Sequence, residues 1–388
     1  MLSVSTTLPK DGAKAALAGR LWLPDVGGPA VIRIDGDQVT DITAAFPLMR
    51  DLCETVNPAA ALHSARGVSL GSLADILEAS AKAKNDPAVM HLLAPVDLQA
   101  VKACGVTFVV SLMERVIEEQ ARGNPQAAAD IRREIQGAIG SDLAGLKPGS
   151  DQAMALKNLL IEKKLWSQYL EVGIGPDAEV FTKAPILSSV GHGGEAGLHP
   201  KSTWNNPEPE VVLIVTSKGS VVGAALGNDV NLRDVEGRSA LLLGKAKDNN
   251  ASSAIGPFIR FFDADFNIDS VRRMTVSLDI KGADGFHLQG KSDMAQIGRD
   301  PLDLVAQTIN ANHQYPDGFA LFLGTMFAPS QDRDAPGGGF THKLGDVVTI
   351  SAPELGALTN VMTTSDKAAP WRFGLRDLMT NLARRQLL

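Results

Sequence analysis

The residues whose type and spacing could do chemistry lie in WNNPEPEVVLIVTSKGSVVGAALGNDVNLRD, residues 204 to 234. Glu208 and Glu210 stand one residue apart ahead of an apolar run. Side chains of a strand alternate between faces, so these two share a face while Pro209 points away. Pro209 has no N–H to donate and belongs at a strand's first residue or edge. SKGS (217 to 220) is a hairpin turn, and centring it between Lys218 and Gly219 pairs residue 208 with Asp229. Three carboxylates then converge. They would repel one another and raise their own pKa values unless a cation sat among the oxygens. Hard oxygens without His or Cys favour Mg2+ or Mn2+ over Zn2+. The alternative is a solvated strand face, and the pairing with Asp229 weighs against it.

A hairpin of this kind needs a sheet to hold it. EVVLIVTS, SVVGAALG, MTVSLDIKG, GFALFLGTM and GDVVTISAPELGALTN are short, rich in Val and Ile, and bounded by turns, as strands are. Nearer the N-terminus, AGRLWLPDVGGPAVIRIDGDQVTDIT reads as small antiparallel strands, and SLADILEASAKA (72 to 83) as a short helix. The texture changes at HLLAPVDLQAVKACGVTF, so residues 1–92 are expected to form a small N-terminal α+β domain and 93–388 the catalytic domain. Residues 125–170 read as helices, expected to serve as a lid or subunit contact. The fold class is mixed α+β, a β-rich core with flanking helices.

At 388 residues the chain exceeds the size at which single cores usually stop growing. A net charge of -7 excludes a phosphate-tracking surface, so no nucleic-acid partner is expected. A small anionic substrate still fits, because one pocket can be basic on an acidic protein. Cys53 and Cys104 show neither metal spacing nor a disulfide framework, which suits a reducing compartment. The N-terminus lacks the layout of a signal peptide, and no apolar stretch approaches the about 18 residues of a membrane span. A soluble, cytoplasmic protein with no membrane partner is expected.

The stretch EPEVVLIVTSKGSVVGAALGNDVNLRD resembles the metal-binding hairpin of the fumarylacetoacetate hydrolase superfamily, E-x-E followed by N-D-x-x-x-R-D. FTKAP (181 to 185) is similar to that family's F-x-K-P strand, and KDNNASSAIGPF (247 to 258) to its Lys-initiated loop. LQGKSDM (288 to 294) is similar to its substrate-side loop, LFLGTM (321 to 326) to its T-G-T-P segment, and GDVVTISAPELGALTN to its closing strands. The ordered motifs span roughly 180 to 360 and leave residues 1–90 and 125–170 unaccounted for.

The resemblance implies a β-rich core of the family's C-terminal type. It also implies a divalent cation, Mg2+ with Mn2+ as a substitute, held by Glu208, Glu210 and Asp229 and gripping a 2-oxo acid. Lys247 inherits the place of the active-site lysine, Arg233 that of an arginine near the site, and Thr325 and Lys183 those of substrate-binding groups. Family hydrolases often carry G-x-N-Y-x-x-H-x-x-E, whose His and Glu activate water. Here GVTFVVSLMER (105 to 115) keeps Glu114 but has Ser111 in place of the His. A serine hydroxyl offers no base near pH 7.

That departure, with WNNPEPE and YPDGFALFLGTMFAPSQDR, resembles the 2-keto-3-deoxy-D-xylonate (2-keto-3-deoxy-D-pentonate) dehydratases. The likeness implies a Mg2+-dependent hydro-lyase of pentose catabolism. It would act on a small 2-keto-3-deoxy sugar acid, give 2-oxoglutarate semialdehyde, and assemble as a homodimer or homotetramer. The alternatives are C–C hydrolysis of a 2,4-dioxo acid, against which Ser111 counts, and a sugar-acid-binding protein without catalysis, which would lack the three carboxylates.

Overall fold

The computed structural model describes residues 2–12, 14–108, 112, 146–164, 166–327, 329, 331–334 and 339–388. Ser111, Glu114 and the first part of the expected helical stretch, 125–145, lie outside them. Within the remainder of that stretch run a helix Asp151–Glu162, capped by the Ser150 side chain, and the start of a second, Gln168–Ile174, capped by Ser167.

The apolar run after Glu208 becomes the strand Pro209–Val215, buried along its whole length. Such a strand must be covered on both faces. Val211, Leu213 and Val215 enter one apolar cluster, and Val212 and Ile214 enter another on the opposite face. Its hairpin partner is Val221–Asp229. Outward from that partner come Ser253–Phe261, Leu17–Leu23, Gly28–Asp35, Gln38–Asp41 and Val68–Ser72. Outward from Pro209–Val215 come Phe319–Phe322, then Ala100–Gly105 parallel to it, then Glu179–Ala184. The N-terminal strands thus continue the sheet that carries the hairpin, through Leu17 paired with Arg260.

A second sheet of five strands runs His287–Asp293, Thr275–Lys281, Val347–Ala352, Gly356–Thr364 and Glu195–Leu198. Its alternating Val276, Leu278, Ile280, Val348 and Ile350 face the same cluster as Val211 and Leu213, so the two sheets close one core. The short helices Met49–Cys53 and Pro58–Ser64 cover the other face with Met49, Leu52 and Leu62. The expected helix at 72 to 83 forms as Leu73–Ala83, with Ser72 accepting from the Asp75 N–H. No described helix is long and apolar enough to cross a membrane. The structure is mixed α+β and rich in sheet, as the sequence predicts.

One segment departs from the reading. SAIGPF, the end of the stretch 247 to 258 expected to be a Lys-initiated loop, instead belongs to the strand Ser253–Phe261 despite its proline. Leu226 pairs with Gly256 and Ala224 with Arg260, so Pro257 and Phe258 sit in a bulge where no ladder N–H is needed.

Candidate active site

The hairpin delivers the carboxylates. The Asp229 N–H donates to the Glu208 carbonyl at 3.1 Å, the pairing expected from the sequence. The route differs from a simple turn: Val221 pairs with Val215 but Gly223 with Ile214, and the bulge at Val222 shifts the register into place. Glu208, Glu210 and Asp229 are all buried, and each offers a ligand oxygen, all within 4.8 Å of one another.

Two ammonium groups stand among those oxygens. Lys247, the last residue of the helix Leu243–Lys247, donates to Glu208 Oε2 and to Asp229 Oδ2, the latter at 2.9 Å. Lys183 is fully enclosed on Glu179–Ala184. Its Nζ lies 2.8 Å from Asp229 Oδ1 and donates to the Val230 carbonyl at 3.0 Å and the Lys247 carbonyl at 2.5 Å. The Ser252 hydroxyl links to both lysines, at 3.4 Å from Lys183 Nζ and 2.7 Å from the Lys247 carbonyl. Lys183 therefore braces the end of the helix that carries Lys247 and does not line the cleft itself.

Charge follows from this packing. Burial, with Asp229 and Glu208 nearby, pushes the Glu210 carboxyl well above the usual range. Burial would also raise Asp229, but Lys183 and Lys247 outweigh it and hold that carboxyl below its ordinary value. Burial opposes charge on Lys247, yet Asp229 and Glu208 overcome this and raise its pKa. For Lys183 burial prevails and lowers it.

Further contacts orient the carboxylates. Gly324 N–H donates to Glu210 Oε2 at 2.6 Å. Gly324 has φ +86°, and a Cβ there would lie 2.2 Å from Thr107 Oγ1, so only glycine lets the backbone approach so closely. Thr325 lines the cleft, its hydroxyl accepting from the Phe327 N–H at 3.2 Å. Arg233 opens a short helix, stacks over Trp204 at 4.4 Å and does not line the cleft.

Sequence reasoning missed Asn231, whose amide donates to Glu208 Oε1 at 3.1 Å and to Glu236 Oε2 at 2.5 Å. Strand alternation from Asp229 could have found Asn231. It missed Glu236, Glu179 and Phe181 on the cleft wall as well, and nothing local marks those.

The donor set suits a hard divalent cation: three buried carboxylates, no imidazole and no thiolate among the clustered ligands. The excess of carboxylate over ammonium, with Glu210 pushed toward its neutral form, is what a bound cation would relieve.

No protein-family model matches the chain. Among solved structures, a fumarylacetoacetate hydrolase from Exiguobacterium antarcticum is similar over 90% of this chain and all of its own, with a TM-score of 0.53 at 14% identity. A 2-keto-3-deoxy-D-arabinonate dehydratase complexed with magnesium and 2,5-dioxopentanoate is similar over 90% of this chain and 99% of that one, with a TM-score of 0.61 at 20% identity. The chain has the fumarylacetoacetate hydrolase fold. Among curated proteins, the "Probable 2-keto-3-deoxyxylonate dehydratase" of Haloferax volcanii is 26% identical over 341 residues, 87% of this chain and 97% of the relative. The superfamily resemblance read from the sequence is borne out.

Proposed function

We propose that this chain is a metal-dependent hydro-lyase that converts 2-keto-3-deoxy-D-pentonate into 2-oxoglutarate semialdehyde, which is 2,5-dioxopentanoate. The observation that carries the reading is the buried Glu208, Glu210 and Asp229 cluster with Lys247 bridging two of its members. The relatives named for xylonate and arabinonate dehydratases support the substrate class. The two names describe one compound, since C2 and C3 are no longer stereocentres.

A divalent cation such as Mg2+ on the three carboxylates would hold the 2-oxo acid through its carboxylate and keto oxygens and make the C3 protons more acidic. Lys247 keeps a positive charge facing the oxygen on which negative charge develops. Thr325 offers its hydroxyl and backbone to the substrate carboxylate, and Glu114 is the candidate base. Arg233 and Ser111 complete the surroundings, with Lys183 setting the position of Lys247 and Asp229. A C3 proton and the C4 hydroxyl leave as one water and a C3–C4 double bond forms. Loss of a C5 proton and return of one to C3 then give the C4–C5 enol, and passage of the enol hydroxyl proton to C4 leaves the aldehyde at C5.

Hydrolysis of a 2,4-dioxo acid would require a nucleophilic water at C4, and with Ser111 the usual base for it is missing. General-base help is worth about 10²- to 10⁴-fold. Purified protein with Mg2+ is therefore expected to form the semialdehyde from 2-keto-3-deoxy-D-pentonate and to cleave acylpyruvates about 100-fold more slowly. Acylpyruvate turnover equal to or faster than dehydration would make it a hydrolase, and turnover of neither would overturn the enzymatic reading.

A further inference from the structure

A second cavity, of about 650 Å³, lies between the N-terminal strands, the loop after Lys247 and the C-terminal segment. Its volume falls in the range of small-molecule sites. None of its lining residues belongs to the carboxylate cleft.

The walls present ring faces. Trp22 meets Phe373 edge to face at 5.2 Å and stacks beside His91, while Trp371, close by in the chain, is 45% exposed. Both indole N–H groups are already used, Trp22 on the Pro87 carbonyl at 2.8 Å and Trp371 on the Phe373 carbonyl at 3.0 Å. What these tryptophans offer a ligand is therefore flat apolar surface.

Charge on the wall is unevenly committed. Arg20 donates to the Ala94 and Val96 carbonyls, and Lys84 pairs with Glu195 at 3.2 Å. Asp86 caps the Ala88 N–H and Asp377 the Gly374 N–H. Arg372, between the two aromatic residues of the C-terminal segment, has no hydrogen bond or ion pair among the described residues.

Backbone strain marks the same place. Leu187 and Ala251 adopt φ of +64° and +60° on this wall, each as the third residue of a tight turn, closed by the Ser188 N–H on the Pro185 carbonyl at 3.4 Å and the Ser252 N–H on the Asn249 carbonyl at 3.0 Å, a position usually left to glycine or asparagine. Non-glycine residues pay about 1–2 kcal/mol for that conformation, and such strain concentrates at functional sites. Val106, at φ +53° on the carboxylate cleft, is the parallel case.

We propose that this cavity is a second small-molecule site, which takes a planar ring compound bearing an anionic group. The ring lies against Trp22, Trp371 and Phe373, and the anion meets Arg372.

Calorimetric titration of the full chain with 2-naphthoate tests this, with uncharged 2-naphthylmethanol as the comparison. Naphthoate should bind at one site. Arg372→Ala should weaken naphthoate by about tenfold and leave the alcohol unchanged. Trp371→Ala should weaken both several-fold, and Leu187→Trp, which fills the cavity, should abolish both. Naphthoate that fails to bind at millimolar concentration, or that binds all three variants as it binds the wild type, overturns the proposal. Equal affinity for acid and alcohol removes the anion from it.

Discussion

Replacing Lys247 with methionine isolates the electrostatics of the cleft. The ammonium is 3% exposed and joins Glu208 Oε2 to Asp229 Oδ2. Methionine keeps much of the volume, so the loss is one of charge and hydrogen bonding rather than packing. Removing one partner of a buried ion pair costs about 3–5 kcal/mol. Lys183 still faces Asp229 Oδ1 and Asn231 still donates to Glu208 Oε1, which places the expected loss at the lower end, about 3 kcal/mol. The ammonium and a divalent cation compete for the same oxygens, so the variant should gain more stability from Mg2+ than the wild type does, following the binding linkage. Urea unfolding at pH 8, in EDTA and in saturating Mg2+, reads both quantities. The gap in EDTA should narrow toward pH 5, where the deserted carboxylates can take up a proton. Equal midpoints in EDTA at pH 8, or a larger Mg2+ gain in the wild type, would refute the reasoning.

Two further outcomes test the frame around the site. Gly356→Ala places a Cβ 1.9 Å from the Thr7 carbonyl at φ +77° and should cost about 3 kcal/mol, whereas Gly345→Ala, at φ +88° with open space around it, should cost about 1 kcal/mol. Equal urea midpoints for the two would show that the contact with Thr7 yields without cost. Burial raises the Asp346 carboxyl, but Arg333, at 2.6 and 2.7 Å, and His342 outweigh it and hold the pKa to about 2. A depressed carboxyl stabilises the fold above its unfolded value, near 4, and that contribution fades as pH falls toward 2. Asp346→Asn should therefore be less stable than wild type by about 2 kcal/mol at pH 6, with the gap closed near pH 2. A gap that stays constant across that range would be the contrary result.

The carboxylate triad was legible in the sequence because its geometry is local. Alternation puts Glu208 and Glu210 on one face, and a hairpin joins neighbours in the chain, so Asp229 follows from counting across a turn. Even there the count succeeded through a bulge at Val222 that no residue announces. The runs of Val and Ile marked their strands for the same reason, since burial on both faces demands unbroken apolar sequence.

Long-range packing decided the rest. Whether Lys183 reaches substrate or braces the helix end at Lys247 depends on which strand lies beside Ser252 and Val230, and 64 positions separate the two lysines. Arg233 rests on Trp204, and the Gly324 N–H finds Glu210 across 114 positions. The strand Ser253–Phe261 exists in spite of Pro257, because Val221–Asp229 on one side and Leu17–Leu23 on the other supply its partners. A residue's type limits the bonds it can make. Which partner it meets is set by the sheet that assembles around it, through contacts whose energies depend on burial and neighbours absent from any short stretch of sequence.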